Sequence, residues 1–340
     1  MKHKYLLLLI MIIVGSELFL SCSHPKRYSL SKIAMGTIVT ITVDSTSPKK
    51  ASDAVNHAFE TIQNIEQKMS PYIPTSDVAH INNRLKTTVS NDTFTVIEQS
   101  LELSHKTNGL FDITFAACGK LWKLHSPSFN PPSPLEIKQQ LACVNYTLLH
   151  LNPQTLEVMK EKPCVTIGLG GIAKGYAIAQ AASALKQYGI QQGIVEAGGD
   201  LEVLGDNYGY GYTIGIKHPR QEGIIGTVVL HDGQSIATSG DYERYAMYKG
   251  KRYHHILNPK TGYPAQSDII SVSVIATNAT ICDGYATALF IMGSEQAIAF
   301  CKKNATLNLQ CIIIDKSMNI YLSESLLQKA SFPHYSVHPF

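Results

Sequence analysis

Cys164-Val-Thr-Ile-Gly168-Leu-Gly-Gly171-Ile-Ala-Lys174-Gly175, an alanine-rich stretch to Tyr188, and then Gly193-Ile-Val-Glu196-Ala-Gly-Gly-Asp200 form the part of this 340-residue chain that decides the fold. Cys164 to Ile167 is apolar and predicts a strand. Gly168 to Gly171 predicts a turn, and the alanine run predicts a helix with Gly189 past its end. Gly193 to Glu196 predicts the next strand, broken by Ala197-Gly-Gly-Asp200. Glycines between strand and helix let backbone approach a ligand, and a helix N-terminus offers free N–H groups to an anion. A P-loop is excluded, because no adjacent Gly-Lys-Ser/Thr follows. A dinucleotide-binding Gly-x-Gly-x-x-Ala is matched, with Glu196 where a ribose ligand would sit. A tight turn with close packing explains the glycines equally well.

Ser29 to Val43 alternates as a strand or hairpin interrupted at Met35-Gly36-Thr37. Behind Pro48, the residues Val55, Ala58, Phe59, Ile62, Ile65 and Met69 recur at helical spacing. A second helix is expected from Asp92 to Lys106, ending at Asn108-Gly109. His125 to Pro134 is rich in proline and reads as an irregular excursion. Downstream, β-type runs cover Tyr212 to Ile216, Gly226 to Leu230 and Ile270 to Ala276, and two helices cover Thr280 to Met292 and Glu295 to Lys302. Short turns join most neighbouring strands. The pattern therefore predicts an α+β fold with a mixed, largely antiparallel sheet and packed helices.

The ends and the composition bound the rest. Lys2 and Lys4 precede the apolar run Leu6 to Val14, and Ser21 stands before Cys22. That is a signal peptide over residues 1–21, too short and too abruptly ended for a membrane span. Cys22 at the cleavage point resembles a bacterial lipobox, with Phe19 where Leu is usual, so a lipid on Cys22 would hold the chain on a membrane surface. Residues 22–30 then read as a tether and 31–335 as one large domain of two intimate lobes. Hydrophobic residues make up 44% and charged residues 16%, which is globular; a formal charge of +3 without a Lys/Arg run argues against nucleic acid. Cys118, Cys143, Cys164, Cys282, Cys301 and Cys311 form no Cys-x-x-Cys, which argues against a zinc or thioredoxin-like site. In a domain this large they are expected as buried free thiols.

Two further segments carry chemistry. His254-His255 precedes Asn258-Pro-Lys-Thr-Gly262, placing at least one imidazole at a strand end beside a loop, where reactive groups tend to sit. Asp283 and Thr287, four apart at a helix start, point from one face and offer two hard oxygens suited to Mg²⁺. Asp283 as a helix-start charge is the bland alternative.

These segments, in order, resemble one family, the FAD:protein FMN transferases. The pieces are Met35-Gly-Thr37; Ser70-Pro-Tyr72-x-Pro-x-Ser76-Asp77; Gly109-Leu-Phe-Asp-Ile-Thr114 with Leu121-Trp122; Gly168 to Gly175; Ala197-Gly-Gly-Asp200; Thr238-Ser-Gly-Asp-Tyr242; His255-x-x-x-Pro-x-Thr-Gly262; and Asp283-x-x-x-Thr287. They span nearly all of the chain after Cys22. The resemblance implies a variant tunnelling-type α+β fold, with FAD as substrate and Mg²⁺ as cofactor. It implies flavin contacts at Met35, Tyr72, Leu110, Phe111, Asp112, Gly168, Lys174 and Leu257. It implies metal contacts at Gly171 through its backbone oxygen, Asp283, the backbone at Ala286, and Thr287, with His255 as the motif histidine. Many members carry Asp at the place of Gly168, which leaves only backbone for a contact there, and many carry Asp at the place of Ala179.

The implied reaction moves FMN from FAD to a Ser or Thr hydroxyl of an acceptor flavoprotein, releasing AMP. Subunits of membrane redox complexes outside the cytoplasm are the implied acceptors, so the chain is expected in the periplasm, lipid-anchored. An Mg²⁺-dependent FAD pyrophosphatase would use the same groups with water as nucleophile. A non-catalytic FAD-binding lipoprotein would not need Asp283, Thr287 and His255, and an NAD dehydrogenase rests on the glycine motif alone. Replacing Cys22 with Ser is expected to move the chain from the membrane fraction to the soluble one. Retention of Cys22→Ser on membranes would exclude a lipid at that position.

Overall fold

The computed structural model describes residues 24–340. The signal peptide and Cys22 lie outside the described residues. Strands β1 (Lys26–Ala34) and β2 (Thr37–Ser45) form a hairpin, followed by helices α1 (Pro48–Met69) and α2 (Asp77–Asn83), strand β3 (Lys86–Thr88) and helix α3 (Asn91–Lys106). Two short helices, α4 (Ala116–Gly119) and α5 (Pro134–Leu141), lead to strands β4 (Leu149–Asn152) and β5 (Glu157–Lys160). Helix α6 (Ala173–Gln187) precedes β6 (Gly193–Ala197), β7 (Asp200–Leu204), β8 (Tyr212–Lys217), β9 (Ile224–Leu230) and β10 (Ser235–Gly240). A ribbon of β11 (Tyr245–Tyr248) and β12 (Lys251–His254) comes next, then β13 (Ile269–Ala276), α7 (Ala279–Met292) and α8 (Ser294–Lys303). Strands β14 (Gln310–Asp315), β15 (Ile320–Leu322), β16 (Ala330–Ser331) and β17 (Val337–Pro339) close the chain.

The main sheet has nine strands in the order β1-β2-β6-β7-β10-β13-β14-β15-β17, antiparallel throughout except for the parallel β15–β17 pair. This is the expected α+β fold. Strand β1 starts at Lys26, inside the stretch expected as a tether. Both faces of the central strands are buried, so their side chains alternate between two cores. Val272, Val274, Cys311 and Ile313 join the core under the helices, whereas Leu201, Val203, Ile275, Ile312 and Ile314 join a second core under the three-stranded sheet β16-β9-β8. A smaller cluster around Cys118, Trp122, Ile137 and Leu257 packs at the side.

Local signals explain the elements. Ser47 caps α1 by accepting from Lys50 N, Pro48 fills the first turn, and Ala51 to Met69 supply the buried stripe. The β1–β2 turn consists of Met35 (φ 54°) and Gly36 (φ 69°), the mirror-image turn whose twist matches antiparallel strands. A left-handed Met costs about 1–2 kcal/mol, which makes Met35 a strained position. Helix α7 is buried nearly all round, because it lies between the sheet, α3 and α6.

Two expectations fail here. Cys164 to Ile167 is not a strand of any sheet. The Asn82 side chain takes the place of a neighbouring strand, accepting from Ile167 N (2.7 Å) and donating to Ile167 O (3.0 Å). The buried Lys160 ammonium donates to Val165 O (2.8 Å) alongside it. The cysteines are also not all thiols: Cys143 and Cys164 form a disulfide, while Cys118, Cys282, Cys301 and Cys311 are free. Both paired cysteines lie in irregular segments, where no hydrophobic period marks which residues meet.

Gly175 is the tightest contact between helices. A Cβ on it would lie 2.2 Å from Ala279 O and 2.9 Å from Asp283 Cβ. Backbone cannot yield as a side-chain tip does, so Gly175→Ala is expected to destabilise by about 1–3 kcal/mol or more through overpacking. Urea unfolding would measure it, and an unchanged midpoint would show that α6 and α7 do not pack this closely.

Candidate active site

The glycine turn and the start of α7 meet through one hydrogen bond. Gly175 N donates to Asp283 Oδ2 (2.9 Å), across the contact that only a glycine permits. In a regular turn that amide would bond the carbonyl of Gly171, four residues back. With the amide diverted, Gly171 O accepts no hydrogen bond among the described residues. Asp283 Oδ1 and Thr287 Oγ1 also make no protein hydrogen bond among the described residues. The threonine hydroxyl does not bond back to the carbonyl of Asp283, the usual fate of a helical Thr, and a Cβ built on Gly171 would lie 3.2 Å from it. A carbonyl, a carboxylate oxygen and a hydroxyl are thus left unclaimed by the protein where the glycine turn meets the start of α7. These are hard oxygen donors, and they fit Mg²⁺ with water or phosphate completing its shell. No group of three or more His, Cys, Asp or Glu suited to a metal occurs among the described residues.

The carboxylates beside this point are buried and Lys174 is half-buried. Burial raises the pKa of Asp283, opposed by the nearby Lys174 charge and by the Gly175 hydrogen bond. Lys174, in the first turn of α6, forms an ion pair with Asp200, which is almost fully buried at the start of β7. The other Asp200 oxygen accepts from Thr238 N (2.9 Å). Asp200 follows a Gly198-Gly199 turn in which both residues have positive φ. Glu196 accepts from Gly199 N (2.7 Å) within that turn, and β6 pairs antiparallel with both neighbours. The dinucleotide-fold alternative is therefore excluded, because it requires a parallel βαβ unit.

The two histidines divide as an extended segment requires. His254 is buried: its Nε2–H donates to Ala265 O (3.0 Å), its ring packs edge-on against Phe290, and its Nδ1 has no partner. His255 points outward. Its Nδ1–H donates to Arg244 O (3.2 Å), which fixes the tautomer and leaves the Nε2 lone pair free. The side chain keeps a solvent-open edge, while the protein crowded around the ring disfavours the imidazolium. That desolvation, with Arg244, His254 and Lys174 nearby and the Arg244 carbonyl opposing, lowers the His255 pKa to about 4.

The other sequence-predicted residues separate into three groups. Phe111 lies against the glycine turn, 3.4 Å from a Cβ built on Gly171, and Gly168 N donates to Ile113 O (2.9 Å) in the same loop. Leu110 is half-buried beside Phe111, and Ala286 is fully buried on α7. Asp112 lies in that loop, but its carboxylate is engaged by the chain itself. Oδ1 accepts from Thr114 N (2.8 Å) and Thr114 Oγ1 (2.6 Å), and Oδ2 accepts from Tyr146 N (2.8 Å). Its side chain shapes the loop, so a ligand contact there falls to backbone. Met35 sits at the hairpin tip, tied to the site through its neighbour Thr37, which packs against Gly198. Leu257 is buried in the side cluster, where Trp122 Nε1 donates to Gly262 O (2.8 Å). Tyr72 stands 91% exposed, away from these contacts. A surface groove of about 420 Å³ beside His218 and Tyr335 holds none of the predicted residues.

A model of the ApbE family matches residues 35–313. This chain belongs to the ApbE family. The FAD:protein FMN transferase of Klebsiella pneumoniae is 31% identical over 306 residues, covering 88% of this chain and 93% of the relative. That of Treponema pallidum is 28% identical, covering 86% of each. The crystal structure of the ApbE protein of Thermotoga maritima superposes with a TM-score of 0.82 at 34% identity, over 88% of this chain and 98% of that one. The flavin transferase ApbE of Vibrio cholerae superposes with a TM-score of 0.79 at 26% identity, over 90% and 99%.

The ring environments predict that both imidazoles resist protonation. Both histidines carry lowered pKa values. NMR of the imidazole carbons should therefore show His255 neutral at pH 6 and protonating only near pH 4. A His255 midpoint near the ordinary 6.5 would show that its ring is fully hydrated.

Proposed function

We propose that this chain transfers FMN from FAD to a Ser or Thr hydroxyl of an acceptor flavoprotein, with AMP leaving, at an Mg²⁺ site formed by Asp283, Thr287 and the Gly171 carbonyl. The observation that carries the reading is the diverted Gly175 amide, which leaves Gly171 O free beside Asp283 and Thr287. Flavin transfer itself is the activity for which the ApbE relatives are named. The glycine turn at the N-terminus of α6, with Lys174 in its first turn, suits the pyrophosphate of FAD. Phe111 and the backbone at Leu110, Asp112 and Gly168 line the same side, and they suit the flavin moiety.

In the transfer, the acceptor oxygen bonds to the FMN phosphorus as the bridging bond to the AMP phosphate breaks, and that electron pair leaves with AMP. A bound Mg²⁺ would neutralise the pyrophosphate and the charge developing on the leaving phosphate. His255 is the group suited to the acceptor's proton. Its free Nε2 is unprotonated at neutral pH, and its Nδ1–H is held by Arg244 O. Asp283 and Thr287 would hold the metal from one face of α7, and Lys174 would meet phosphate oxygens as a point charge.

The acceptors fitting this reading are flavoprotein subunits of membrane redox complexes outside the cytoplasm. The apolar start ending in Ser21-Cys22 supports export and a lipid anchor facing the periplasm, and the Cys143–Cys164 disulfide suits an oxidising compartment. Among the described residues, no helix is long and apolar enough to cross a membrane.

The test is to incubate the full chain with FAD, Mg²⁺ and a purified acceptor domain, then weigh the acceptor. A mass gain of one FMN less one water, abolished by Asp283→Ala and by EDTA, is expected. His255→Ala should lower the rate by about 10²-fold or more, with little change in FAD affinity, whereas His254→Ala should leave the chemistry intact. AMP release without labelling would make the chain a pyrophosphatase, and full transfer in EDTA would remove the metal.

A further inference from the structure

Two buried carboxylates, Asp283 and Asp200, meet the half-buried Lys174 at the site. We propose that Asp200 is a positioning residue that holds the Lys174 ammonium away from Asp283, so that Asp283 stays free to bind the cation; this rests on the metal reading above. Lys174 is within electrostatic reach of both carboxylates, paired directly with Asp200 and acting on Asp283 through space. An ammonium and a divalent cation compete for the same carboxylate, and in a water-poor site a lysine left without its own partner takes the nearest acid.

The geometry is suited to that task. Asp200 is 2% exposed, and its second oxygen is anchored by Thr238 N (2.9 Å) on the neighbouring strand β10. Thr238 is fixed in turn by a 2.7 Å hydroxyl contact to Ser273 on β13. The carboxylate is therefore mounted on three adjacent strands of the main sheet, whereas Asp283 and Lys174 ride on helices. Farther charges on Glu196, Glu243 and Arg244 also act on Lys174, but they belong to half-buried or exposed residues and are better screened. Asp200 itself donates no oxygen to the cation. It acts through Lys174.

Charge counting makes the idea testable. In formal charges the wild-type trio sums to one negative, Asp200→Asn brings the sum to zero, and the double variant Lys174→Met/Asp200→Asn returns it to the one negative of Asp283. Binding of Mn²⁺, used as a paramagnetic probe for Mg²⁺, would be read by electron paramagnetic resonance on the full chain without FAD. Asp200→Asn is expected to weaken binding by about 10- to 100-fold, as loss of an outer partner does at metal sites. The double variant should return to within about threefold of wild type, the usual error of additivity. Asp200→Glu, which keeps the charge, should bind nearly as wild type does.

Wild-type affinity in Asp200→Asn would overturn the proposal, and so would a double variant as weak as the single one. If Asp200→Asn does not fold, the double variant and Asp200→Glu decide, and tenfold weaker binding in either overturns it. Failure of the wild-type chain to bind Mn²⁺ at all would instead remove the metal reading on which this rests.

Discussion

The hydrogen bond from Gly175 N to Asp283 is the constraint on which the site depends. It exists because α6 and α7 approach closely enough that a single methyl group at position 175 would strike the backbone of Ala279. One contact has three consequences. It aligns the carboxylate, it frees the Gly171 carbonyl that the amide would otherwise satisfy, and it places Thr287 against the glycine turn. A buried carboxylate without this bond would face its full desolvation cost against Lys174 alone.

The sheet makes that contact possible. Its buried strands form a rigid slab, with α6 and α7 on one face and the small sheet on the other. Asp200 and Glu202 alternate with Leu201 and Val203 along β7, so the acids face the helices and the apolar residues face the second core. Each acid meets a lysine of α6, Lys174 at its first turn and Lys186 at its last. The helix is thus registered against the sheet by two charge pairs as well as by apolar packing. Burial raises the Glu202 pKa to about 7, so its pair with Lys186 loses charge as the pH falls through neutral.

The long periodic elements were legible in the sequence because local physics decides them. The apolar stripe behind Pro48 and the alternation through Ser29 to Val43 each carry their own period, and the helix after Thr280 shows as an apolar run of helical length. The failures lie where long-range contacts substitute for local ones. Cys164 to Ile167 has strand composition, yet its backbone is satisfied by the Asn82 side chain and by Lys160, from segments about 80 residues and a few residues away. Nothing near Cys143 or Cys164 signals their pairing. The flavin contact at Asp112 was implied by the resemblance alone; three donors from Thr114 and Tyr146 engage its carboxylate, a use that depends on Tyr146, more than thirty residues away. Asp200 was visible as part of a Gly-Gly-Asp turn, but its link to Lys174 depends on how α6 lies over β7.

The adjacent histidines show why motif register and structure answer different questions. His254 and His255 have the same chemistry in solution, and alternation along the strand guarantees only that they face opposite ways. What separates them is which ring nitrogen the protein occupies. His254 gives its Nε2–H to Ala265 and buries Nδ1 without a partner, so neither nitrogen can reach a substrate. His255 gives its Nδ1–H to Arg244, which leaves Nε2 unprotonated and open. A general base needs a fixed tautomer, a free lone pair and a ring that stays neutral at the working pH. Only His255 meets all three, and it meets them through the backbone carbonyl of an arginine whose charge also resists ring protonation.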